Sequence, residues 1–425
     1  MDMLKIQGGC RITGTVSVDG AKNAALPMMA AALAVDGTVT LQRIPRLVDV
    51  STMSQLLQSL GADVRHQPDG SMQISPQQLI SHHADYDLVR RMRAGICVLG
   101  PLLARCGRAQ VSLPGGCNIG HRPIDLHLKG LAALGADLQI RNGYVIAEAK
   151  QLKGADIHLG GPGGSTVTGT CNVMVAAALA SGQTIIRCAA REPEVTDLGT
   201  FLNSAGARIE GLGTHVLEIH GVDRLAPVTH QVIPDRIEAA TLAIAAAATG
   251  GQVTITNAVS DHLGRVLEIL TMMNVRVQIS AQNIDIIADQ PLASAEIVAE
   301  PFPGIPTDTQ AQLMALLCAA QGTSVVRDDV FPERVLHAAE LLRMGAQLRR
   351  EGSSTIVIGG HRLTGASVMA SDLRASAALV IAGLMAEGET TVRRIYHLDR
   401  GYADLEGKLN HLGARIQRLS DPSPV

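Results

Sequence analysis

One pattern, written six times, limits what this chain can fold into. A helical stretch ending on Leu-Gly-Ala or a variant of it recurs with its glycine at Gly61, Gly135, Gly206, Gly345 and Gly413, and Asn274 fills the one remaining place in the series. These positions stand 68 to 74 residues apart. Counting back from each, apolar residues return at helical spacing: Val50, Met53, Leu57 and Leu60 in the first copy, Val195, Leu198, Leu202 and Ala205 in the third. That spacing predicts a half-buried helix, and the glycine predicts the left-handed residue that ends it. Ahead of this helix lies an Ala-rich one that also closes on glycine and opens a β-branched run, as in Gly37-Thr-Val-Thr-Leu41, Gly182-Gln-Thr-Ile-Ile186 and Gly322-Thr-Ser-Val-Val326. Each unit therefore reads helix, strand, helix, strand, strand. A fixed period of this length means a repeated supersecondary unit of the α/β class.

With 425 residues the chain is too long for one ordinary core. Two domains of three copies each are expected, with the break at the Pro234-Asp235 turn: 23–233 forms one, and 1–22 with 234–425 the other. The interior must be aliphatic, because 46% of the residues are apolar yet there is no Trp and only four Tyr and three Phe. The same scarcity argues against single-stranded nucleic-acid binding by base stacking, and 36 basic against 39 acidic residues offer no field for a polyanion. No apolar run is long enough to span a bilayer, and the opening MDMLKIQGGCRITG lacks the charged, apolar and cleavage regions of a leader. A cytoplasmic, soluble, monomeric protein is expected. Seven scattered cysteines without a CxxC pair fit a reducing compartment, most of them as small buried side chains, and the histidines show no metal-ligand spacing.

Departures from the repeat mark candidate functional positions. Fourteen residues before the glycine closing each Ala-rich helix stand Asn23, Arg93, Thr168, Asp308 and Arg374, all in a helix's first turn; the fourth copy has Ile237 there, flanked by Asp235, Arg236 and Glu238. Plain N-capping is an alternative for Asn23, Thr168 and Asp308. It cannot explain arginines at the positive end of a helix, which point to a bound anion. Thirteen residues before the second helix's closing glycine, copies two and six carry Arg122 and Arg400, while Arg334, His127 and His337 take places that are apolar elsewhere. A lone arginine there is ordinary helix-start solvation, but several together with Lys22 suit carboxylate or phosphate. Gly160-Gly-Pro-Gly-Gly164 lacks a following Gly-Lys-Ser/Thr and reads as a turn, and Lys22 is not a Walker lysine.

The second copy is also long. From its Ala-helix glycine to its Leu-Gly-Ala glycine is 28 residues, against 23 to 25 elsewhere, and the excess falls in Leu113-Pro-Gly-Gly-Cys-Asn-Ile-Gly-His-Arg-Pro123. This reads as a lid, with Cys117 at its tip beside Arg122, where neighbouring cations would favour the thiolate.

These residues lie in phrases that carry a resemblance along essentially the whole chain: Gly20-Ala-Lys-Asn-Ala-Ala-Leu-Pro27, Leu113-Pro-Gly-Gly-Cys117, Gly120-His-Arg-Pro-Ile-Asp125, Ala190-Arg-Glu-Pro-Glu194, Pro306-Thr-Asp-Thr-Gln-Ala-Gln312, Asp372-Leu-Arg-Ala-Ser376 and Asp399-Arg-Gly-Tyr402. With them the chain resembles the UDP-N-acetylglucosamine 1-carboxyvinyltransferase family of enolpyruvyl transferases. The resemblance implies a two-domain inside-out α/β barrel fold of six repeats of about 70 residues, the extreme N-terminal strand belonging to the second domain. It implies transfer of the enolpyruvyl group of phosphoenolpyruvate to the sugar 3-hydroxyl with loss of phosphate, opening peptidoglycan precursor synthesis, without a cofactor. Asp308 would be the base and Cys117 the acid, adduct-forming thiol and fosfomycin target. Lys22, Arg122 and Arg400 would hold phosphate, Arg334 and Arg374 the carboxylate, and Asn23 the intermediate. Arg93, Pro123, Ile124, Asp125, His127 and Val330 would contact the nucleotide sugar, with Thr166, Val167 and Thr168 around its diphosphate. Cys171 stands where Glu is common, and Val335 and Leu336 where an aromatic and Met are. Open alternatives are another acceptor, shikimate-3-phosphate or a different uridine nucleotide, and a non-catalytic UDP-sugar-binding paralogue.

Overall fold

The computed structural model describes residues 2–115 and 123–420, which fall into two compact units: 20–115 with 123–233, and 2–19 with 234–420. Each copy of the repeat forms a four-stranded sheet, and all six have one topology. In the first, Val228–Gln231 pairs parallel with Val39–Gln42, which pairs antiparallel with Met72–Ser75, which pairs antiparallel with Asp63–His66. The parallel edge strand is an element that the helix, strand, helix, strand, strand reading lacks. It is short, only Asp156–His158 in the third copy and Ser367–Met369 in the sixth, so it leaves no alternating pattern to detect.

Two of the sheets in the unit of 2–19 and 234–420 are completed by the chain's start. Asp2–Gln7 lies between Glu389–Arg393 and Arg415–Ser420, antiparallel to both, with Leu4 opposite Val392 and Arg418. Thr13–Ser17 supplies the parallel edge beside Gln252–Thr256. Among the described residues every sheet is open, so the fold is mixed α/β without a closed β-barrel.

Three helices buried on nearly all sides form the middle of each unit. Arg236–Ala248, Thr307–Leu317 and Leu373–Met385 pack on one another, and Arg236–Ala248 is buried from Arg236 through Ala247. A helix apolar all round has no face for solvent, and alanines let three such helices approach closely. Lys22–Ala31, Leu99–Cys106 and Val167–Ala178 are their counterparts in the other unit. The second helix of each copy keeps its inner stripe buried: Val50, Met53, Leu57 and Leu60 are at most 1% exposed. Its closing glycine has positive φ throughout, 101° at Gly61 and 99° at Gly413. Asn274 holds φ 69° in the odd copy, a conformation asparagine tolerates better than other side chains.

Candidate functional site

The repeat positions singled out in the sequence fall on the helix starts. Asn23, Thr168, Ile237, Asp308 and Arg374 are each the second residue of a central helix, and Arg93 opens the 3₁₀ turn Arg93–Val98 that leads into Leu99–Cys106. Capping is done by other residues. Thr166 accepts from Gly169 N, Asp235 from Ile237 N and Glu238 N, and Asp372 from Arg374 N and Ala375 N, whereas Ala21 and Pro306 give no side-chain cap. Thr168, Asp308 and Asn23 are therefore not there as caps.

In the unit of 2–19 and 234–420 two arginines close on one carboxylate. Arg334 Nη1 donates to Asp308 Oδ1 at 2.8 Å and Arg374 Nη2 to Asp308 Oδ2 at 3.2 Å. The arginine side chains are 3% and 1% exposed, that of Asp308 25%. Arg334 also donates to the Thr307 carbonyl at 3.1 Å and lies 3.5 Å from the capping carboxylate of Asp372. The segment that delivers Arg334 is anchored by Asp328, whose Oδ1 accepts from Val330 N and Phe331 N and whose Oδ2 accepts from Thr307 Oγ1 at 2.6 Å. Burial pushes the Asp328 carboxyl above its usual range. The Arg374 guanidinium stands 5.0 Å from the Tyr402 ring centroid, and the Tyr402 hydroxyl bonds to Thr241 at 2.8 Å and Gln312 at 3.1 Å. His337 is buried nearby; burial holds it down to about 4, with Asp372 pulling upward and Arg334 pressing further down. Arg400 ends the helical turn Ile395–Arg400, which packs on Leu373–Met385. A carboxylate entering here can take over guanidinium forks that Asp308 now occupies, and doing so frees Asp308 to accept a proton.

In the other unit Lys22, the first residue of its helix, makes a buried ion pair with Asp49, Nζ to Oδ2 2.7 Å. Arg93 Nη2 donates to the Pro123 carbonyl at 3.1 Å, just before Ile124 and the helix Asp125–Ala133. That helix carries His127 to Thr168, Nε2 to Oγ1 3.1 Å, and to Asn172, whose Nδ2 lies 3.1 Å from Nδ1. Close packing makes this possible: a Cβ added to Gly130 would meet Val173 Cγ2 at 2.3 Å. Arg93, Pro123, Asp125, His127 and Thr166 to Thr168 thus lie on helices and turns of one unit, as do Asp308, Val330, Arg334 and Arg374 in the other.

Cys117 and Arg122, with the rest of 116–122, lie outside the described residues. The expectation that most cysteines are buried fails among the other six. Cys97, Cys171 and Cys318 are buried, but Cys106 is exposed where its helix ends, and Cys10 and Cys188 are half-buried outside helices and strands. Gly160-Gly-Pro-Gly-Gly164 is the turn of a small hairpin pairing Gly160–Gly161 with Gly164–Ser165. Sequence reasoning missed Asp49, Asp372, Tyr402 and Asn172. Asp372 was findable, since it stands one place before its helix as Asp235 does; Asp49 and Asn172 carry no signal, because what matters is the partner each meets across the fold.

The family description EPSP synthase (3-phosphoshikimate 1-carboxyvinyltransferase) matches residues 6–409. A UDP-N-acetylglucosamine 1-carboxyvinyltransferase of Desulforapulum autotrophicum is 50% identical over 420 residues, covering 99% of this chain and 100% of that protein. Among solved structures, the enolpyruvyl transferase NikO from Streptomyces tendae is 27% identical with a TM-score of 0.90, covering 99% of both chains. An EPSP synthase from Acinetobacter baumannii shares the fold at 18% identity, TM-score 0.76, over 99% of this chain and 100% of its own. With half of its residues identical along nearly its whole length to those of one carboxyvinyltransferase, and the family pattern running from first strand to last helix, the chain belongs to the EPSP synthase family of enolpyruvyl transferases, and within it to the UDP-N-acetylglucosamine 1-carboxyvinyltransferase family.

Proposed function

We propose that the enzyme transfers the enolpyruvyl group of phosphoenolpyruvate to the 3-hydroxyl of UDP-N-acetylglucosamine by addition and elimination, releasing phosphate, at the first committed step of peptidoglycan synthesis. The observation that carries the chemistry is the seating of Asp308 between Arg334 and Arg374. The phosphoenolpyruvate carboxylate takes the two guanidinium groups, Asp308 is released as the base for the 3-hydroxyl, and the hydroxyl oxygen adds to the central carbon of phosphoenolpyruvate. Cys117 protonates the methylene, and is the thiol that forms a covalent adduct and reacts with fosfomycin. Loss of the proton from the new methyl group and departure of phosphate complete the exchange. Lys22, Arg122 and Arg400 hold the phosphoryl group, and Asn23 hydrogen-bonds the tetrahedral intermediate. Fixed positive groups of this kind stabilise charge that builds up in the transition state, each worth on the order of 3 kcal/mol.

The groups of the unit 20–233 hold the nucleotide sugar in this reading: Arg93, Pro123, Ile124, Asp125 and His127, with Thr166, Val167 and Thr168 at the diphosphate. Val330 is read as a further substrate contact. Each unit is read as an inside-out α/β barrel, which the trio of buried central helices supports. The dispersed thiols support a cytoplasmic setting. Incubating the full chain with phosphoenolpyruvate and UDP-N-acetylglucosamine, then with shikimate-3-phosphate in its place, tests the acceptor. Phosphate release and an enolpyruvyl product are expected with the UDP-sugar; product from shikimate-3-phosphate alone refutes the assignment.

A further inference from the structure

The side-chain amide of Asn172 is fixed in orientation by two backbone groups. Gly100 N donates to its Oδ1 at 2.6 Å, and the Ile96 carbonyl accepts from its Nδ2 at 3.0 Å. Flipping the amide would set donor against donor and acceptor against acceptor in a site where Asn172 is 1% exposed, so the assignment follows from the backbone and not from choice. A Cβ at Gly100 would stand 2.3 Å from the Asn172 carbonyl oxygen, so only glycine allows the two helices this approach.

The second Nδ2 hydrogen of Asn172 then faces His127 Nδ1, 3.1 Å away. Nδ1 must accept, so the ring proton resides on Nε2. Nε2 lies 3.1 Å from Thr168 Oγ1, and as a donor it makes that hydroxyl an acceptor. Thr168 keeps its own hydrogen to give elsewhere, and among the described residues His127 is the hydroxyl's only hydrogen-bond partner. Thr168 sits half-buried in the first turn of Val167–Ala178, where backbone amides and the helix dipole favour negative charge.

We propose that Asn172 is a positioning residue which, through the tautomer it imposes on His127, turns the Thr168 hydroxyl into a hydrogen-bond donor for an anionic oxygen of the UDP-N-acetylglucosamine diphosphate. The ligand's identity rests on the function proposed above. A diphosphate oxygen only accepts hydrogen bonds; the opposite tautomer would consume the Thr168 hydrogen at Nε2 and present lone pairs to the anion. The relay thus selects an acceptor at this point and rejects a ligand that offers an N–H or O–H.

The test uses the full chain labelled with ¹⁵N-histidine, the His127 signals being identified by their loss in His127→Gln. At mildly alkaline pH the expected spectrum shows Nδ1 unprotonated and Nε2 protonated; a proton on Nδ1 overturns the relay whatever the activity. In steady state Thr168→Val should raise KM for UDP-N-acetylglucosamine roughly ten- to a hundred-fold, the range of one hydrogen bond to a charged group, and far more than it lowers kcat. Thr168→Ser should restore it, and KM for phosphoenolpyruvate should stay close to its wild-type value. Asn172→Asp draws the ring proton to Nδ1, so KM for the UDP-sugar should climb with pH in that variant, and Thr168→Val added to it should cost little more. Fully additive effects overturn the relay. Should Asn172→Asp fail to fold, the tautomer and the Val/Ser pair at Thr168 decide. Phosphate release by the wild-type chain with UDP-N-acetylglucosamine, together with the wrong tautomer, sinks the relay alone; a wild-type chain inert towards that sugar sinks the functional reading and the ligand with it.

Discussion

Replacing Asp308 with Asn should impair turnover, weaken the fold and tighten phosphoenolpyruvate binding at once. Asp308 neutralises Arg334 at 2.8 Å and Arg374 at 3.2 Å, and both guanidinium groups are almost wholly buried. Removing one partner of a buried ion pair costs about 3–5 kcal/mol. Here Asp308 is a quarter exposed and Asp372 remains 3.5 Å from Arg334, so a loss of about 2–3 kcal/mol is expected, read as a fall in Tm without ligand. The unneutralised charge that destabilises the free protein is available to an incoming carboxylate. Titration calorimetry in the presence of UDP-N-acetylglucosamine should show phosphoenolpyruvate binding about ten-fold more tightly, one charged hydrogen bond's worth. With no base, kcat measured by phosphate release should drop roughly 10²- to 10⁴-fold. Weaker phosphoenolpyruvate binding would show that the two arginines do not hold its carboxylate. A kcat within about ten-fold of wild type would remove Asp308 from the base role.

Lys22→Met should cost about 2–3 kcal/mol of stability, because it removes the cation 2.7 Å from the buried Asp49 carboxylate. Lys22→Met with Asp49→Leu should recover most of that while activity stays lost; activity returning with stability would assign Lys22 a structural role only. His337 has its folded value lowered to about 4 from 6.5, so the native state binds fewer protons than the unfolded chain between those values. The stability this leaves intact above pH 6.5 is lost as pH falls towards 4, by up to about 3 kcal/mol, and Tm of His337→Gln should decline less over that interval. Identical declines in the two proteins would contradict it. Cys117→Ser should abolish or greatly slow turnover, whereas Cys117→Asp should keep activity and resist fosfomycin; equal sensitivity of the Asp variant to the drug refutes the role given to Cys117.

Much of the architecture is legible because the chain states it six times. Periodicity that is ambiguous in one window becomes decisive when Gly61, Gly135, Gly206, Gly345 and Gly413 all end the same stripe, and positive φ at each explains why glycine is there. The parallel edge strands were illegible for the opposite reason: a pairing of three residues such as Asp156–His158 is made by its neighbour, Gln183–Arg187, and not by its own pattern. Within the candidate site, arginines at helix starts stood out because they contradict the helix dipole. Asp49, Asn172 and Tyr402 did not, since a buried polar residue announces itself only through the partner it reaches, and those partners lie 27, 45 and 161 positions away in Lys22, His127 and Thr241.

In three of the central helices the cap position relieves the second position of structural duty: Thr166, Asp235 and Asp372 cap the helices that carry Thr168, Ile237 and Arg374. A side chain at N-cap must turn back on the amides of its own helix, as Asp235 and Asp372 do over Ile237 and Arg374. Where such a cap is present, the first-turn amides are already served one or two residues later, so the side chain is released from the backbone and its identity can change without unravelling the helix. Copy by copy that place now carries Asn23, Thr168, Ile237, Asp308 and Arg374 on the same scaffold. It follows that Ile237→Ala, at a position 1% exposed, should cost about 2–5 kcal/mol through lost burial while the helix Arg236–Ala248 keeps its Asp235 cap, whereas Asp235→Ala should cost about 1 kcal/mol. Circular dichroism and thermal melting of the two variants separate the outcomes, and a loss of helix from Ile237→Ala would mean that cap and second position are not independent.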